Sequence, residues 1–263
     1  MTAAAFSGSI PETYERLLVP VLFAPYAAEL VARVAPHAPA RVLELACGTG
    51  VVTRRLRAAL PEAAIVATDL SPPMIAIAER AGPADVTWRP ADAQALPFED
   101  AAFDAVVCQF GWMFLPDKVR GFAEARRVLA PGGRLFVTVW DSPLANPYAG
   151  QMNTVLAQLF PADPPRFVDM VHGYCDTDRI AADLRAAGWT EFGFDRVAIR
   201  GHARSAAELA TGFGTGSPIR QLLADRGAPP DAFIRELTPR LIALAGDAPC
   251  TPELAAVVIT AIR

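Results

Sequence analysis

Histidine is nearly absent from this chain: His37, His172 and His202 are the three in 263 residues. Any histidine base must be one of them. Cysteine is almost as scarce. Cys47, Cys108, Cys175 and Cys250 show no C-x-x-C pairing, and reduced, buried thiols in a cytoplasmic protein are the simplest reading. No metal site is expected. No basic run exceeds Arg54-Arg55-Leu56-Arg57, and the net charge is -4, which argues against nucleic acid as a partner. The N-terminus lacks a basic segment ahead of an apolar core, so no signal peptide is expected. The most apolar early stretch, 17–28, is broken by Pro20 and Pro25 and is too short to span a membrane.

Apolar residues, by contrast, make up 52% of the chain, enough for a substantial core. The length suits one large domain, or one domain with a sizeable insertion. Residues 1–39 read as Pro-punctuated helices, with Ser9 able to cap one and Pro25 able to open another. From residue 41 strand and helix alternate. Strands are expected at 41–45, 64–69, 86–89, 103–109 and 134–140. Helices are expected at 51–60, at 71–81 behind a Ser71 cap, and at 118–129 behind an Asp117 cap. Pro131-Gly132-Gly133 reads as a turn. Segment 141–176 is irregular and Pro-rich and suggests a lid over the strand ends. A helix at 178–187 ends at Gly188, and a sixth strand covers 192–200. Ser205 and Glu208 form a capping box ahead of further helices, and the last apolar run, 254–262, reads as a final strand.

The expected class is α/β: a Rossmann-like, seven-stranded, mostly parallel sheet with helices on both faces, plus N-terminal helices and a helical lid insertion. Three regions follow. Residues 1–39 form an N-terminal helical cap. Residues 40–200 form the core, with the lid at about 141–176. Residues 201–263 hold a helical insertion and the strand that completes the sheet.

The most informative stretch is Val42-Leu-Glu-Leu-Ala-Cys-Gly-Thr-Gly50. An apolar strand ends beside an acid, and a turn around Gly48 and Gly50 leads into a helix. Such a turn brings backbone N–H groups and a helix N-terminus up to a ligand. The dinucleotide fingerprint needs a third small residue, and Thr53 stands there instead. Glu44 would repel a pyrophosphate and attract a cation. Asp69, closing the second strand, can accept hydrogen bonds from a ribose diol, a logic shared with NAD sites.

The form Glu-x-Ala-x-Gly-x-Gly, from Glu44 to Gly50, resembles motif I of the class I S-adenosylmethionine-dependent methyltransferases. The resemblance extends to Asp92-Ala93-Gln-Ala-Leu-Pro-Phe98, to Phe103-Asp-Ala-Val-Val-Cys-Gln109 and to Pro131-Gly132-Gly133. It is closest to the branch holding the ubiquinone and menaquinone C-methyltransferases and many small-molecule enzymes. It covers 41–140 well, 177–200 loosely and the rest poorly. It implies that Glu44, Ala46, Gly48 and Gly50 hold the methionyl end of S-adenosylmethionine. It also implies that Leu70 and Met74 stack on the adenine, while Asp92 and Ala93 bond its edge. The last residue of the fourth strand, Gln109, and the N-terminal helices with Phe6 and Tyr14 complete the implied cofactor site. Two positions depart from the commonest motif. Glu44 replaces the more frequent Asp. Ala46 replaces a glycine, which requires only that it avoid positive φ.

Methyl transfer from a sulfonium is an in-line displacement that needs chiefly proximity. A base is needed only if the acceptor must lose a proton. His172 is the candidate base, and Trp112, Asp141 and Tyr174 are candidate walls of the acceptor pocket. The expected partner is a small-molecule acceptor, methylated on O, N or C; self-association as a homodimer stays open. Two alternatives also remain: an NAD(P)-dependent oxidoreductase on a similar sheet, and a methyltransferase fold that binds the cofactor without transferring methyl. Segments 141–176 and 201–250 should shape the acceptor pocket.

Overall fold

A computed structural model describes residues 10–263; Phe6 and the expected Ser9 cap lie outside the described residues. Strands β1 (Arg41–Leu45), β2 (Ala64–Asp69), β3 (Thr87–Pro90), β4 (Phe103–Gln109) and β5 (Leu129–Trp140) pair in parallel. Strands β6 (Glu191–Arg200) and β7 (Glu253–Ile262) pair antiparallel, and β7 also pairs antiparallel with β5. The sheet order is β3-β2-β1-β4-β5-β7-β6, as the seven-stranded, mostly parallel expectation required.

Helices flank the strands. They are α1 (Ile10–His37), α2 (Val51–Ala59), α3 (Pro72–Ala81), α4 (Lys118–Val128), α5 (Pro147–Leu159), α6 (Phe167–His172), α7 (Thr177–Ala186), α8 (Ala206–Gly216), α9 (Ile219–Asp225) and α10 (Pro230–Ala245). Successive strand side chains point to opposite faces, which makes two cores. Val42, Ile65, Val107 and Phe136 meet Leu30, Val34 and Leu56 on one side. Leu43, Val106, Leu135 and Val137 meet Phe122, Val128, Ile180 and Leu184 on the other. Burial on both faces is why the central strands read as unbroken apolar runs.

Two differences from the sequence reading matter. The turn expected at Pro131-Gly132-Gly133 is absorbed into β5. Gly132 N–H donates to the Arg263 carbonyl at 2.9 Å, and Arg263 N–H donates to the Gly133 carbonyl at 3.0 Å. The chain's last residue thus continues the ladder, and a register shift between Phe103 and Ala105 takes up the irregularity. The lid insertion is helical as expected, as α5 and α6, with Pro147 in the first turn of α5, where a missing N–H costs nothing.

The N-terminal prolines do not break α1. Its stretch Tyr14–Phe23 is wound as a π-helix that contains Pro20, and Pro25 sits in the first turn of the regular helix Ala24–Val34. By length and hydropathy Ile10–His37 meets the requirement for crossing a membrane, which the reading of 17–28 as a short run had not allowed for. Of its most apolar window, 56% is buried inside the protein.

Candidate functional site

Parallel strands of an α/β sheet offer a ligand crevice beyond their C-terminal ends, where the strand order reverses. Here β1 and β4 diverge, one toward β2 and the other toward β5. The chain leaves β1 through three left-handed residues, Ala46 (φ 53), Gly48 (φ 56) and Gly50 (φ 83). Ala46 therefore does what it was expected to avoid. Its left-handed backbone is held by Cys47 N–H donating to the Thr68 carbonyl at 2.9 Å. A Cβ built on Gly111 would fall 2.3 Å from the Ala46 Cβ, so the exit from β4 crosses this turn at glycine contact. Left-handed backbone at a non-glycine residue costs roughly 1–2 kcal/mol. Ala46→Gly is accordingly expected to raise stability by about 1 kcal/mol, read by denaturant unfolding at unchanged m-value.

One cavity of about 560 Å³ opens above the turn. Tyr14, Ala46, Gly48, Asp69, Leu70 and Met74 line it, as do Asp92, Ala93 and Gln109. Asp69 anchors this end: one carboxylate oxygen accepts from Gly48 N–H and the other from Ser71 N–H, both at 2.8 Å. Burial raises its pKa against those backbone bonds. Asp92 is exposed and takes the Gln94 N–H at 2.9 Å. Gln109 donates to the Phe23 carbonyl at 3.1 Å, while its Oε1 is buried with no hydrogen-bond partner. Leu70 is 52% exposed at the rim. Arg54 straps the roof to the turn, donating to the Thr49 carbonyl at 2.7 Å and to Glu15 at 2.8 Å.

Glu44 and Gly50 do not line the cavity. The alternation of β1 turns Glu44 toward α2, where its carboxylate accepts from Thr53 Oγ1 at 2.5 Å. Burial pushes its pKa up to about 8, against the Thr53 bond. Thr53, the residue that spoiled the dinucleotide fingerprint, is thus the partner of the acid. Gly50 lies beneath the turn, where an added Cβ would meet Trp88 and Ala78 at 3.0–3.2 Å.

The other end of the cavity is aromatic. Phe23, Phe110, Trp140, Tyr148, Phe167 and Phe213 line it, with Val171, Ser217 and His172. Phe110 holds a left-handed φ of 55° and stacks on Trp140 with centroids 3.8 Å apart and planes 9° apart. Strain of this kind at a bulky residue persists only where surrounding contacts enforce it. Among the described residues no lysine or arginine lines the cavity, and Asp69 and Asp92 are the charged residues on its wall.

His172 is the one histidine on this wall; His37 and His202 are exposed elsewhere. Its Nδ1 lies 2.8 Å from the Asp141 carbonyl. A carbonyl only accepts, so Nδ1 carries the proton and the neutral ring presents Nε2 as an acceptor. Burial lowers its pKa to about 4, against the pull of Asp141.

The three expected pocket walls are elsewhere, each engaged by other partners. Trp112 is fully buried against Phe122, with centroids 4.4 Å apart. Tyr174 donates its hydroxyl to Asp183 at 2.7 Å, between Lys118 and Arg179. The Asp141 carboxylate accepts from Ser142 N–H at 2.7 Å and from Arg196. Asp141 meets the site only through the carbonyl that holds His172. Phe23, Phe110, Trp140, Tyr148 and Phe213 were missed. Both segments expected to shape the pocket do contribute, through α5, α6 and α8, but no local pattern marks which of their aromatics face inward.

A family described as a methyltransferase domain matches residues 42–133. The demethylmenaquinone methyltransferase of Thermus thermophilus is 47% identical over 109 residues, covering 40% of this chain and 50% of that protein. The chain thus spans half the length of that relative. The demethylmenaquinone methyltransferase of Deinococcus radiodurans is 34% identical over 170 residues, covering 58% of this chain and 69% of that one. Among solved structures, phosphoethanolamine N-methyltransferase 2 of Haemonchus contortus, in complex with phosphomonomethylethanolamine and S-adenosylhomocysteine, aligns with a TM-score of 0.62 at 16% identity. That alignment covers 96% of this chain and 56% of the other, a likeness of fold.

Proposed function

The chain belongs to the class I S-adenosylmethionine-dependent methyltransferases, on the branch of the quinone C-methyltransferases, and on that premise we propose that it methylates an apolar, ring-sized acceptor bearing an ionisable hydroxyl. The observation that carries this reading is the aromatic end of the cavity, where His172 offers Nε2 as an acceptor and, among the described residues, no lysine or arginine is there to hold a phosphate or carboxylate. The bacterial relatives are named for demethylmenaquinone, and an apolar ring of that kind suits the same wall.

The residues of the other end suit S-adenosylmethionine. An added Cβ on Gly48 would meet nothing within 4 Å, so the turn leaves its backbone open to a ligand. Asp69 keeps lone pairs for a ribose diol beside its two backbone bonds. The unpartnered Gln109 Oε1 suits an ammonium donor. Leu70 and Met74 offer apolar faces for the adenine, with Asp92 and Ala93 at its edge and Tyr14 as roof. Glu44 keeps a supporting role, bracing the turn through Thr53.

Bound S-adenosylmethionine supplies a methyl on a sulfonium whose leaving group is already activated. The chain's residues then hold, desolvate and deprotonate. Phe23, Phe110 and Trp140 exclude water around the reacting centre. His172 accepts the acceptor's hydroxyl proton at Nε2, and the Asp141 carbonyl keeps the ring oriented. We place the enzyme in the cytoplasm, with α1 packed on the core as the cavity's roof.

S-adenosylhomocysteine at 100 times its Kd should add about 2.7 kcal/mol and raise Tm by about 5–10 °C. NADH should not. A shift with NADH and none with S-adenosylhomocysteine would sink the reading.

A further inference from the structure

Tyr148 is a buried residue on the cavity wall to whose hydroxyl the fold gives no hydrogen bond. It lies on α5, 3% exposed, on the cavity wall. Its ring is clamped: stacked on Phe213 at 5.5 Å and 13°, and edge-on to His172 at 5.9 Å and 71°. Other tyrosine hydroxyls in this protein are engaged. Tyr26 donates to the Val197 carbonyl at 2.9 Å and Tyr174 to Asp183 at 2.7 Å. The Tyr148 hydroxyl has no hydrogen-bond partner among the described residues, and neither has His172 Nε2. A donor and an acceptor are therefore carried by neighbouring rings, with centroids 5.9 Å apart, on a largely apolar wall. Polar groups on a cavity wall that have no protein partner are completed by water or by a ligand.

We propose that Tyr148 donates a hydrogen bond to the oxyanion formed when His172 takes the acceptor's proton, and so selects rings bearing an ionisable hydroxyl. The inference rests on the hydroxylated-ring reading above. In this step the acceptor's O–H bond breaks, its proton goes to His172 Nε2, and the bonding pair stays on oxygen. Tyr148 keeps its own proton and donates to that oxygen. Burial raises the Tyr148 pKa above its ordinary value, so the group stays a donor at neutral pH. The same burial makes His172 a weak base, which on its own would draw a proton from a phenol poorly. An oxyanion-stabilising neighbour makes up that deficit.

The test uses 4-nitrophenol, whose absorbance reports its ionisation, bound to the protein loaded with S-adenosylhomocysteine. In Tyr148→Phe, which keeps the stacked ring, the ionisation midpoint of bound 4-nitrophenol should rise by about one pH unit, a tenfold loss of phenolate. The Tm gain from S-adenosylhomocysteine should be unchanged, showing an intact fold. Equal midpoints in wild type and Tyr148→Phe would overturn the role of Tyr148 while leaving the acceptor class standing. Failure of the wild type to bind 4-nitrophenol, while S-adenosylhomocysteine still raises Tm, would overturn the hydroxylated-ring reading and Tyr148 with it.

Discussion

His172→Ala should lower kcat by about 100-fold or more, from the lower end of the range for a positioned general base upward. The affinity for S-adenosylhomocysteine should hold, because His172 lies at the aromatic end of the cavity, away from the Asp69 turn. The ring is buried, its Nδ1–H is committed to the Asp141 carbonyl, and its pKa is lowered to about 4. The basic form is therefore present across the neutral range, and the wild-type rate should fall only as pH drops toward about 4. The same shift has a stability counterpart. Between the unfolded value near 6.5 and the folded value near 4 the unfolded chain binds more protons. Stability from this residue is thus complete above pH ~6.5 and is lost as pH falls toward 4. Denaturant midpoints of His172→Gln should vary less over that window than those of the wild type. A kcat within about threefold of wild type would return His172 to a packing role.

Asp69→Ala should weaken S-adenosylhomocysteine binding by roughly 10–150-fold, the equivalent of about 1.5–3 kcal/mol for hydrogen bonds to a charged group. Titration calorimetry reads this directly. Two effects combine. The carboxylate is the proposed ribose acceptor, and it also ties Gly48 N–H and Ser71 N–H, so its loss slackens the turn. Asp69→Asn separates them, since an amide oxygen retains one of the two backbone bonds. It should recover much of the lost melting temperature but less of the affinity. Unchanged affinity in Asp69→Ala would remove the residue from the site.

The proposed cofactor end of the cavity was legible because its residues, Tyr14 apart, are local in sequence. The others stand within a few positions of a strand end, and the strands announce themselves as apolar runs buried on two faces. Glu44 and Gly50 were over-read: a motif names neighbours along the chain, whereas the pleat decides which of them faces the ligand. The left-handed Ala46 was missed because propensity alone disfavours it, while the Cys47–Thr68 hydrogen bond overrides the preference. The proposed acceptor end was not legible. Trp140, Tyr148, His172 and Phe213 converge only after α5, α6 and α8 fold over the sheet. Trp112 and Tyr174 had the right chemistry for a pocket wall, yet Phe122 and Asp183 claim them.

That split along the chain has a consequence for redesign. The turn, Asp69 and Asp92 come before residue 100, while Tyr148, Phe167, His172 and Phe213 come after it, on α5, α6 and α8, which carry none of the residues assigned to S-adenosylmethionine. On the proposed function, acceptor preference is a transplantable property: α5, α6 and α8 can be recut for a differently shaped ring without redrawing the proposed donor half. Helix α1 is the exception. It lends Tyr14 to one end and Phe23 to the other, with the two rings in contact at 4.9 Å, and any graft must leave it in place.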